Sequence, residues 1–228
     1  LDPLIDFIRR NCKEKVATSN NQLTAELLNL ITARLQMEED PKQATRDLDG
    51  LHAMVIWCIT WSLGANIHDA TREAFSFELM KRFSSLVEKS GQYGLVLIDP
   101  FGCFVDLVEF KAKYWSTITP MFNYDAKESY FSILVPTNDT TRYRYLLNTL
   151  MRSSYNVLLM AETGVGKSVV INSFLNEMVA QGKTVSYVMG YSAQTKPANL
   201  RDVLESKLEK KRKNLLGPPS GKNMFLFI

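Results

Sequence analysis

The chain is poor in the residues that build disulfide frameworks and metal centres. Its 228 residues include three cysteines, Cys12, Cys58 and Cys103, and two histidines, His52 and His68. The cysteines are odd in number and widely spaced, and neither a CxxC pair nor a histidine cluster accompanies them. The sequence therefore predicts reduced thiols that pack as small apolar side chains, and it argues against a cysteine–histidine metal site.

A strong net charge and a long apolar run are also lacking. The net charge of +3 gives no reason to expect a nucleic-acid partner. We find no signal peptide and no apolar run that could span a bilayer, so we expect no membrane partner. The longest apolar stretch, residues 53–63, contains Thr60 and Ser62 and indicates a buried helix. Composition is otherwise ordinary for a folded cytosolic protein, with room for one large domain or two small ones.

The first ninety residues predict four helices from their apolar spacing. The first is indicated by Leu4, Ile5 and Ile8, and the third spans residues 45–63 and ends at Gly64. The second helix has an apolar face formed by Leu23, Leu27, Leu28, Ile31 and Leu35. The fourth helix spans residues 70–87, and its apolar face is formed by Phe75, Leu79, Phe83 and Leu86. Trp57 and Trp61 lie one turn apart in the third helix, which favours core packing over a ligand platform.

Residues 95–135 have a different pattern. Two short apolar runs, residues 95–98 and 105–110, flank an Asp-Pro-Phe-Gly segment and predict a strand hairpin. Nothing in this part carries recognisable chemistry.

The last third alternates strand-like and helix-like segments, as a parallel α/β sheet requires. Strands are predicted at residues 156–160, 184–189 and 224–228, and helices at 166–179 and 198–213. The lysine- and arginine-rich residues 205–213 fit a solvated helix face better than a surface for an acidic partner. A sheet ending at Ile228 would expose apolar strand edges, so we interpret that position as an imposed boundary.

The most informative motif is AETGVGKS at residues 161–168. It follows a strand-like run and opens a helix-like one, which is the context that a Walker A phosphate loop requires. Gly164 and Gly166 allow the backbone to curl so that its N–H groups face a phosphate, Lys167 can reach the β and γ phosphates, and the Ser168 hydroxyl can bind Mg²⁺. Ala161 departs from the strict motif, which has glycine there, but is sterically mild.

Several further segments resemble the dynein heavy chain family of AAA+ ring motors, and its axonemal members above all. Residues 134–143 (LVPTNDTTRY) resemble the segment that enters the third AAA module, and residues 163–168 resemble its Walker A loop. Residues 192–195 (SAQT), 210–213 (KKRK) and 217–222 (GPPSGK) match later parts of that module. Residues 57–66 and 72–77 resemble the helical small subdomain that closes the second module. The resemblance covers essentially the whole chain.

The resemblance implies an α/β chain with a helical AAA+ small subdomain followed by a truncated P-loop subdomain. The implied domains are residues 1–92, the small subdomain of the preceding module; 93–130, connecting strands and linker; and 131–228, the N-terminal part of the P-loop subdomain. It also implies ATP or ADP with Mg²⁺ as cofactors, Lys167 and Ser168 as catalytic residues, and Ser168 as the metal ligand. The implied nucleotide-binding residues are Val135, Pro136, Thr137, Thr140, Glu162, Thr163, Gly164, Val165, Gly166, Lys167, Ser168 and Val169.

The family function implied is an ATPase microtubule motor in the cytoplasm and cytoskeleton, in particular the axoneme of a cilium or flagellum. Its implied partners are neighbouring AAA modules, microtubules, and dynein intermediate and light chains. In the family, two acidic residues follow the strand matched by residues 224–228 and organise Mg²⁺ and the attacking water. These acids are not among the 228 residues, so we expect these residues alone to bind nucleotide weakly at best and without turnover. Within the full heavy chain, we expect the module to bind ATP and hydrolyse it slowly. Two alternatives stay open here. The first is a structural or regulatory module whose nucleotide is fixed, never exchanged and not turned over, and the second is an unrelated P-loop NTPase.

Overall fold

A computed structural model describes residues 1–37, 47–123, 135–182, 184–219 and 221–228 of the chain. These residues fall into two compact units. The first contains the described residues up to 123 together with residues 135–160, and the second contains the described residues from 161 onward. No helix in these described ranges has the length and apolar character needed to cross a membrane.

The first unit is mostly helical, as predicted. Its helices are α1 (Asp2–Asn11), α2 (Asn20–Met37), α3 (Leu48–Leu63), α4 (Asp69–Phe83), a short α5 (Leu95–Ile98) and α6 (Asn138–Arg152). An antiparallel hairpin of β1 (Cys103–Asp106) and β2 (Lys111–Tyr114) and a 3-10 turn (Trp115–Thr117) complete it. The predicted helix starts and ends agree within a few residues, but the predicted residues 45–46 of the third helix lie outside the described ranges.

Helix α3 is the centre of the hydrophobic core, because eleven of its sixteen residues are buried. Helices α1, α2 and α4, together with β1, contribute the surrounding apolar side chains. The predicted burial of Trp57 and Trp61 is confirmed, since both indoles are at most 5% exposed. Gly64 ends α3 and is required there by space, because an added Cβ would lie 2.6 Å from the Thr60 carbonyl oxygen and 2.7 Å from Phe75.

Several sequence predictions in this unit are wrong. Residues 95–98 form helix α5 and not a strand, and the hairpin instead pairs Cys103–Asp106 with Lys111–Tyr114. A short apolar run does not distinguish a buried strand from a buried helical turn. Here Val96 and Leu97 are buried as residues of a helical turn. On α2, Leu28 is exposed, and Arg34 takes a buried position that the apolar pattern did not predict.

Two of the three cysteines pack as predicted. Cys58 and Cys103 are fully buried in the core of the first unit, and all three cysteines are unpaired. Burial raises the pKa of the Cys58 thiol to about 12, and burial also raises the pKa of Cys103. Both thiols therefore stay protonated at neutral pH and behave as small apolar side chains.

Asp106 organises the turn of the β1–β2 hairpin. One carboxylate oxygen accepts the backbone N–H groups of Val108 and Glu109 at 3.0 and 2.9 Å, and the other accepts Lys113 Nζ at 2.8 Å. Burial alone would raise the pKa of Asp106, but the hydrogen bonds from Lys113 and the two backbone N–H groups outweigh it and lower that pKa. The turn therefore depends on the ionised carboxylate.

The lowered pKa of Asp106 predicts an acid-sensitive contribution to stability. A group whose pKa is lower in the folded state stabilises the fold above its unfolded pKa, and this contribution is lost as the pH falls through the folded value. We expect Asp106→Asn to lower the urea midpoint at pH 7 and to narrow the stability difference between pH 7 and pH 3. The exposed Asp6→Asn is the matched control. Equal pH profiles for wild type and Asp106→Asn would contradict this role.

The second unit is a small parallel α/β layer. It contains α7 (Lys167–Ala180), β3 (Thr184–Val188), α8 (Pro197–Lys207), β4 (Glu209–Arg212), β5 (Leu215–Gly217) and β6 (Asn223–Phe227). Strands β3 and β6 pair in parallel, with Thr184 opposite Asn223 and Val188 opposite Phe227. Helix α7 packs on β3 and buries Val170, Phe174 and Leu175. The predicted fold class, a helical part followed by a P-loop α/β part, is confirmed.

Two predictions for the last third differ from the structure. The predicted helix over residues 198–213 ends at Lys207, and Glu209–Arg212 forms an exposed strand paired with Leu215–Gly217. Residues 156–160 form no strand, because no neighbouring strand within the described part of the chain pairs with them. Their side chains nevertheless alternate between exposed and half-buried, as in an extended segment.

Candidate functional site

The phosphate-loop motif adopts a curled backbone at the start of α7. Gly164 and Gly166 have φ values of +87° and +82°, in the left-handed region that glycine adopts without strain. A Cβ on either glycine would meet nothing within 4 Å, so the backbone angle and not space requires glycine there. Gly166 is also the N-cap of α7, which places the free N–H groups of the first helical turn beside the loop.

Lys167 is the first residue of α7, and its side chain turns back over the loop. Its Nζ atom donates to the carbonyl oxygens of Ala161 at 2.8 Å and Glu162 at 2.5 Å. The ammonium group is thus held beside the curled backbone and the positive end of the helix dipole. Lys167 is half-buried, and the next residue, Ser168, is exposed in the same first turn of α7. The ammonium group and the Ser168 hydroxyl are therefore adjacent donors at the loop.

This arrangement fits a polyphosphate anion. Free backbone N–H groups, a helix N-terminus and a lysine ammonium group converge on one loop, and together they favour a bound anion. The Ser168 hydroxyl provides the oxygen ligand that Mg²⁺ prefers in such loops. All of the predicted phosphate-contacting residues, 162–169, lie in the second unit.

The other predicted nucleotide contacts, Val135, Pro136, Thr137 and Thr140, lie in the first unit. Val135 is 52% exposed and Pro136 half-buried, so an apolar surface is accessible just before α6. Thr137 is the N-cap of α6 and forms a capping box with Thr140. The Thr137 hydroxyl accepts the Thr140 N–H at 3.1 Å, and the Thr140 hydroxyl accepts the Thr137 N–H at 2.8 Å.

The capping box gives Thr137 and Thr140 a structural role that the sequence analysis missed. The Thr-x-x-Thr spacing at the start of a helical segment was the available signal, since it resembles the Ser/Thr-x-x-Glu capping box. The two hydroxyls are used in the cap, so the segment offers a ligand its apolar groups and its backbone.

Removal of the cap should loosen α6. We expect Thr137→Ala to lower the free energy of unfolding by about 1 kcal/mol, within the range of about 0.5–2 kcal/mol for lost N-caps. Urea unfolding and amide exchange of α6 measure the effect. Thr141→Ala, in the first turn of the same helix, is the matched control, because alanine is a good helix former. Equal losses for the two variants would contradict the capping role.

Metal chemistry of the cysteine–histidine type finds no support in the described ranges, where no group of three histidine, cysteine or acidic side chains could hold an ion. The buried Nδ1 of His52 has no hydrogen-bond partner, but His52 belongs to no group of three such side chains among the described residues.

These features define a P-loop nucleotide-binding domain. Its loop has two left-handed glycines, a lysine and a serine follow at the start of a helix, and the helix packs on a parallel sheet. Comparison with known families adds the particular class. The family described as "P-loop containing dynein motor region" matches residues 122–228, and the "Dynein heavy chain AAA lid domain" matches residues 1–117. The chain belongs to the dynein heavy chain family. This membership removes the alternative of an unrelated P-loop NTPase.

Curated relatives are dynein heavy chains. The chain is 29% identical over its whole length to human dynein axonemal heavy chain 6 and 26% identical over its whole length to the gamma chain of the flagellar outer arm of Chlamydomonas reinhardtii. It is 30% identical, over 76% of its length, to the Chlamydomonas reinhardtii dynein-1-beta heavy chain of the flagellar inner arm I1 complex. The chain spans 4–6% of the length of these relatives.

Proposed function

We propose that the loop at residues 161–168 binds Mg-ATP and Mg-ADP as part of a dynein AAA+ module. The observation that carries this proposal is the curled loop itself, with Gly164 and Gly166 in the left-handed region and Lys167 Nζ held beside it. Bound nucleotide with Mg²⁺ supplies a phosphoanhydride bond and a charge that polarises it. Lys167 neutralises phosphate charge, and the Ser168 hydroxyl holds the metal ion.

The remaining assignments follow from the family resemblance and the site. Backbone groups of Glu162, Thr163, Val165 and Val169 line the phosphates. Val135, Pro136, Thr137 and Thr140 lie against the adenine, where the exposed Val135 side chain supplies an apolar contact. The domains are residues 1–92, 93–130 and 131–228, which we assign to the end of the second AAA module and the start of the third.

In the whole heavy chain, the nucleotide state of this module biases the geometry of the ring and through it microtubule release. The names of the relatives, axonemal heavy chains and flagellar arms, support a place in the axoneme of a cilium or flagellum. The partners are then the neighbouring modules of the same chain, microtubules, and dynein intermediate and light chains.

Calorimetric titration of the 228-residue chain with Mg-ADP and Mg-ATP, joined with a steady-state ATPase assay, tests the proposal. We expect weak binding at best and no turnover, because the water-orienting carboxylates implied by the family are not among these residues. If the chain binds neither nucleotide, the proposal that this loop binds phosphate in the 228-residue chain is wrong. Binding with no exchange of labelled ADP would favour the alternative role, a module that holds its nucleotide permanently.

A further inference from the structure

The hairpin of β4 and β5 in the second unit, residues 209–217 and here called the basic hairpin, carries the net charge of the chain. The chain has 27 lysine and arginine residues and 24 acidic residues, which gives its net charge of +3. The basic hairpin contains four of the former, residues 210–213, and one of the latter, Glu209, so the rest of the chain has 23 of each. A concentration of one sign of charge attracts partners of the opposite sign and speeds their encounter.

The described ion pairs neutralise little of this charge. Lys211 Nζ donates to Glu209 Oε2 at 3.1 Å, so the one acid of the basic hairpin is already paired within it. Among the described ion pairs none involves Lys210, Arg212 or Lys213, and all three residues are exposed. The basic hairpin therefore presents positive charge to the solvent.

Strand β4 also has an open edge. Among the described strands it pairs with β5 alone, with Lys210 opposite Leu216 and Arg212 opposite Leu215. The backbone of Lys210 and that of Arg212 form no described hydrogen bond outside the hairpin. An extended peptide binds such an edge by adding a strand, in which main-chain hydrogen bonds give affinity and side chains give specificity. Basic residues on an edge keep like strands apart, so a second copy of the hairpin is repelled and an acidic strand is attracted.

An open groove of about 490 Å³ adjoins the same strands. Its walls combine apolar and basic side chains, among them Leu215, Leu216, Pro218, Pro219, Lys211 and Lys222. Leu215 and Leu216 are 53% and 43% exposed, so apolar surface is accessible beside the cations. A Cβ on Gly217 would lie 3.2 Å from Lys211 Cγ, which shows that the aliphatic stem of Lys211 runs close over this glycine. A partner that fits the groove thus carries apolar as well as acidic side chains.

We propose that the basic hairpin is a docking site for an extended acidic peptide. The peptide adds a strand to the open edge of β4, its carboxylates meet Lys210 and Arg212, and its apolar side chains enter the adjoining groove. The sequence favoured a solvated helix face for these residues, but residues 209–212 form an edge strand, so that interpretation loses its basis. The site lies outside the phosphate loop, and the proposal does not depend on nucleotide binding.

The test measures the binding of a fluorescein-labelled peptide of about ten residues, in which glutamate alternates with valine and threonine, to the 228-residue chain by fluorescence anisotropy. Two control peptides isolate the two parts of the proposal. In the first, glutamine replaces every glutamate, which removes the charge. In the second, proline replaces every valine and threonine, which keeps the charge but removes half of the backbone N–H donors.

Two charge-reversal variants locate the site. We expect Lys210→Glu combined with Arg212→Glu to weaken binding of the glutamate peptide by about tenfold, since attraction at two positions becomes repulsion. Lys196→Glu combined with Arg201→Glu is the matched control, because it changes the charge equally at two exposed residues of the same unit. The control should bind within about twofold of wild type, and added salt should weaken the wild-type complex. Equal losses in the two variants would show a general charge effect and overturn the site.

Amide exchange tests the added strand. The glutamate peptide should slow exchange in β4 and leave α7 unchanged, because a new strand protects the amides at the edge. The proline and glutamine peptides should bind at least about fivefold more weakly than the glutamate peptide. Equal binding of the proline peptide, with no protection of β4, overturns strand addition.

Three further results would also overturn the proposal. The first is no binding of the glutamate peptide by the wild-type chain at concentrations up to about 1 mM. The second is a loss of peptide binding in Lys167→Ala, which would place the peptide on the phosphate loop; wild-type binding in that variant supports the separate site. The third is tighter binding of a single-stranded oligothymidylate than of the peptide, which would assign the basic hairpin to nucleic acid.

Discussion

The Lys167→Ala variant is expected to bind Mg-ATP and Mg-ADP about 10- to 100-fold more weakly than the wild-type chain. A hydrogen bond between charged groups contributes about 1.5–3 kcal/mol, and each 1.4 kcal/mol is about tenfold in Kd. Lys167 is the one cationic side chain that the described contacts place on the loop, through the carbonyl oxygens of Ala161 and Glu162. Its loss removes the positive charge that the loop presents to the phosphates.

Calorimetry on matched variants measures this loss. Lys196→Ala removes an exposed lysine of the second unit, outside the loop, and should bind nucleotide as the wild type does. The salt dependence of both variants separates a contact with phosphate from a general charge effect, because a diffuse effect would weaken the two variants alike. Wild-type affinity in Lys167→Ala would show that nucleotide binds elsewhere or without the loop lysine.

Trp57→Ala should cause the largest loss of stability in the first unit. The Trp57 side chain is 1% exposed, its indole N–H donates to the Cys103 carbonyl oxygen at 3.0 Å, and its ring contacts Trp61 and Tyr145. Truncation of a buried tryptophan to alanine costs about 3–5 kcal/mol, from lost burial and the cavity that remains. That is a large part of the about 5–15 kcal/mol by which domains are stable.

Urea unfolding followed by the fluorescence of the two remaining tryptophans gives the midpoint shift. Phe77→Ala is the control, because Phe77 is 63% exposed and truncation of an exposed side chain changes stability by about 0.5 kcal/mol or less. Similar midpoints for the two variants would mean that Trp57 does not support the core in solution.

The helical part of the fold was predictable because its signals are periodic. Leu4, Ile5 and Ile8 recur at helical spacing, and the structure buries all three. The failures involve segments whose state depends on distant partners. Residues 209–212 have good helix formers but pair with residues 215–217, and residues 156–160 read as a strand but have no described neighbour to pair with.

The site was predictable in part for a similar reason. The phosphate loop is local, so GVGKS alone indicated its left-handed glycines, and the structure has them at Gly164 and Gly166. The hydrogen bond between Arg34 and Tyr145 joins residues 111 positions apart in sequence, which no local pattern predicts. An arginine within the apolar stripe of α2, four residues after Leu30, was the available signal.

All three tryptophans of the chain, Trp57, Trp61 and Trp115, are buried in the first unit, and the second unit has none. Intrinsic ultraviolet emission is therefore an optical label for the first unit alone. Tyr145 lies against two of these indoles, so a displacement of α6 changes the surroundings of the emitting rings. A spectral shift in a variant of α6 would therefore report a change of packing within the first unit, with no dye or added label.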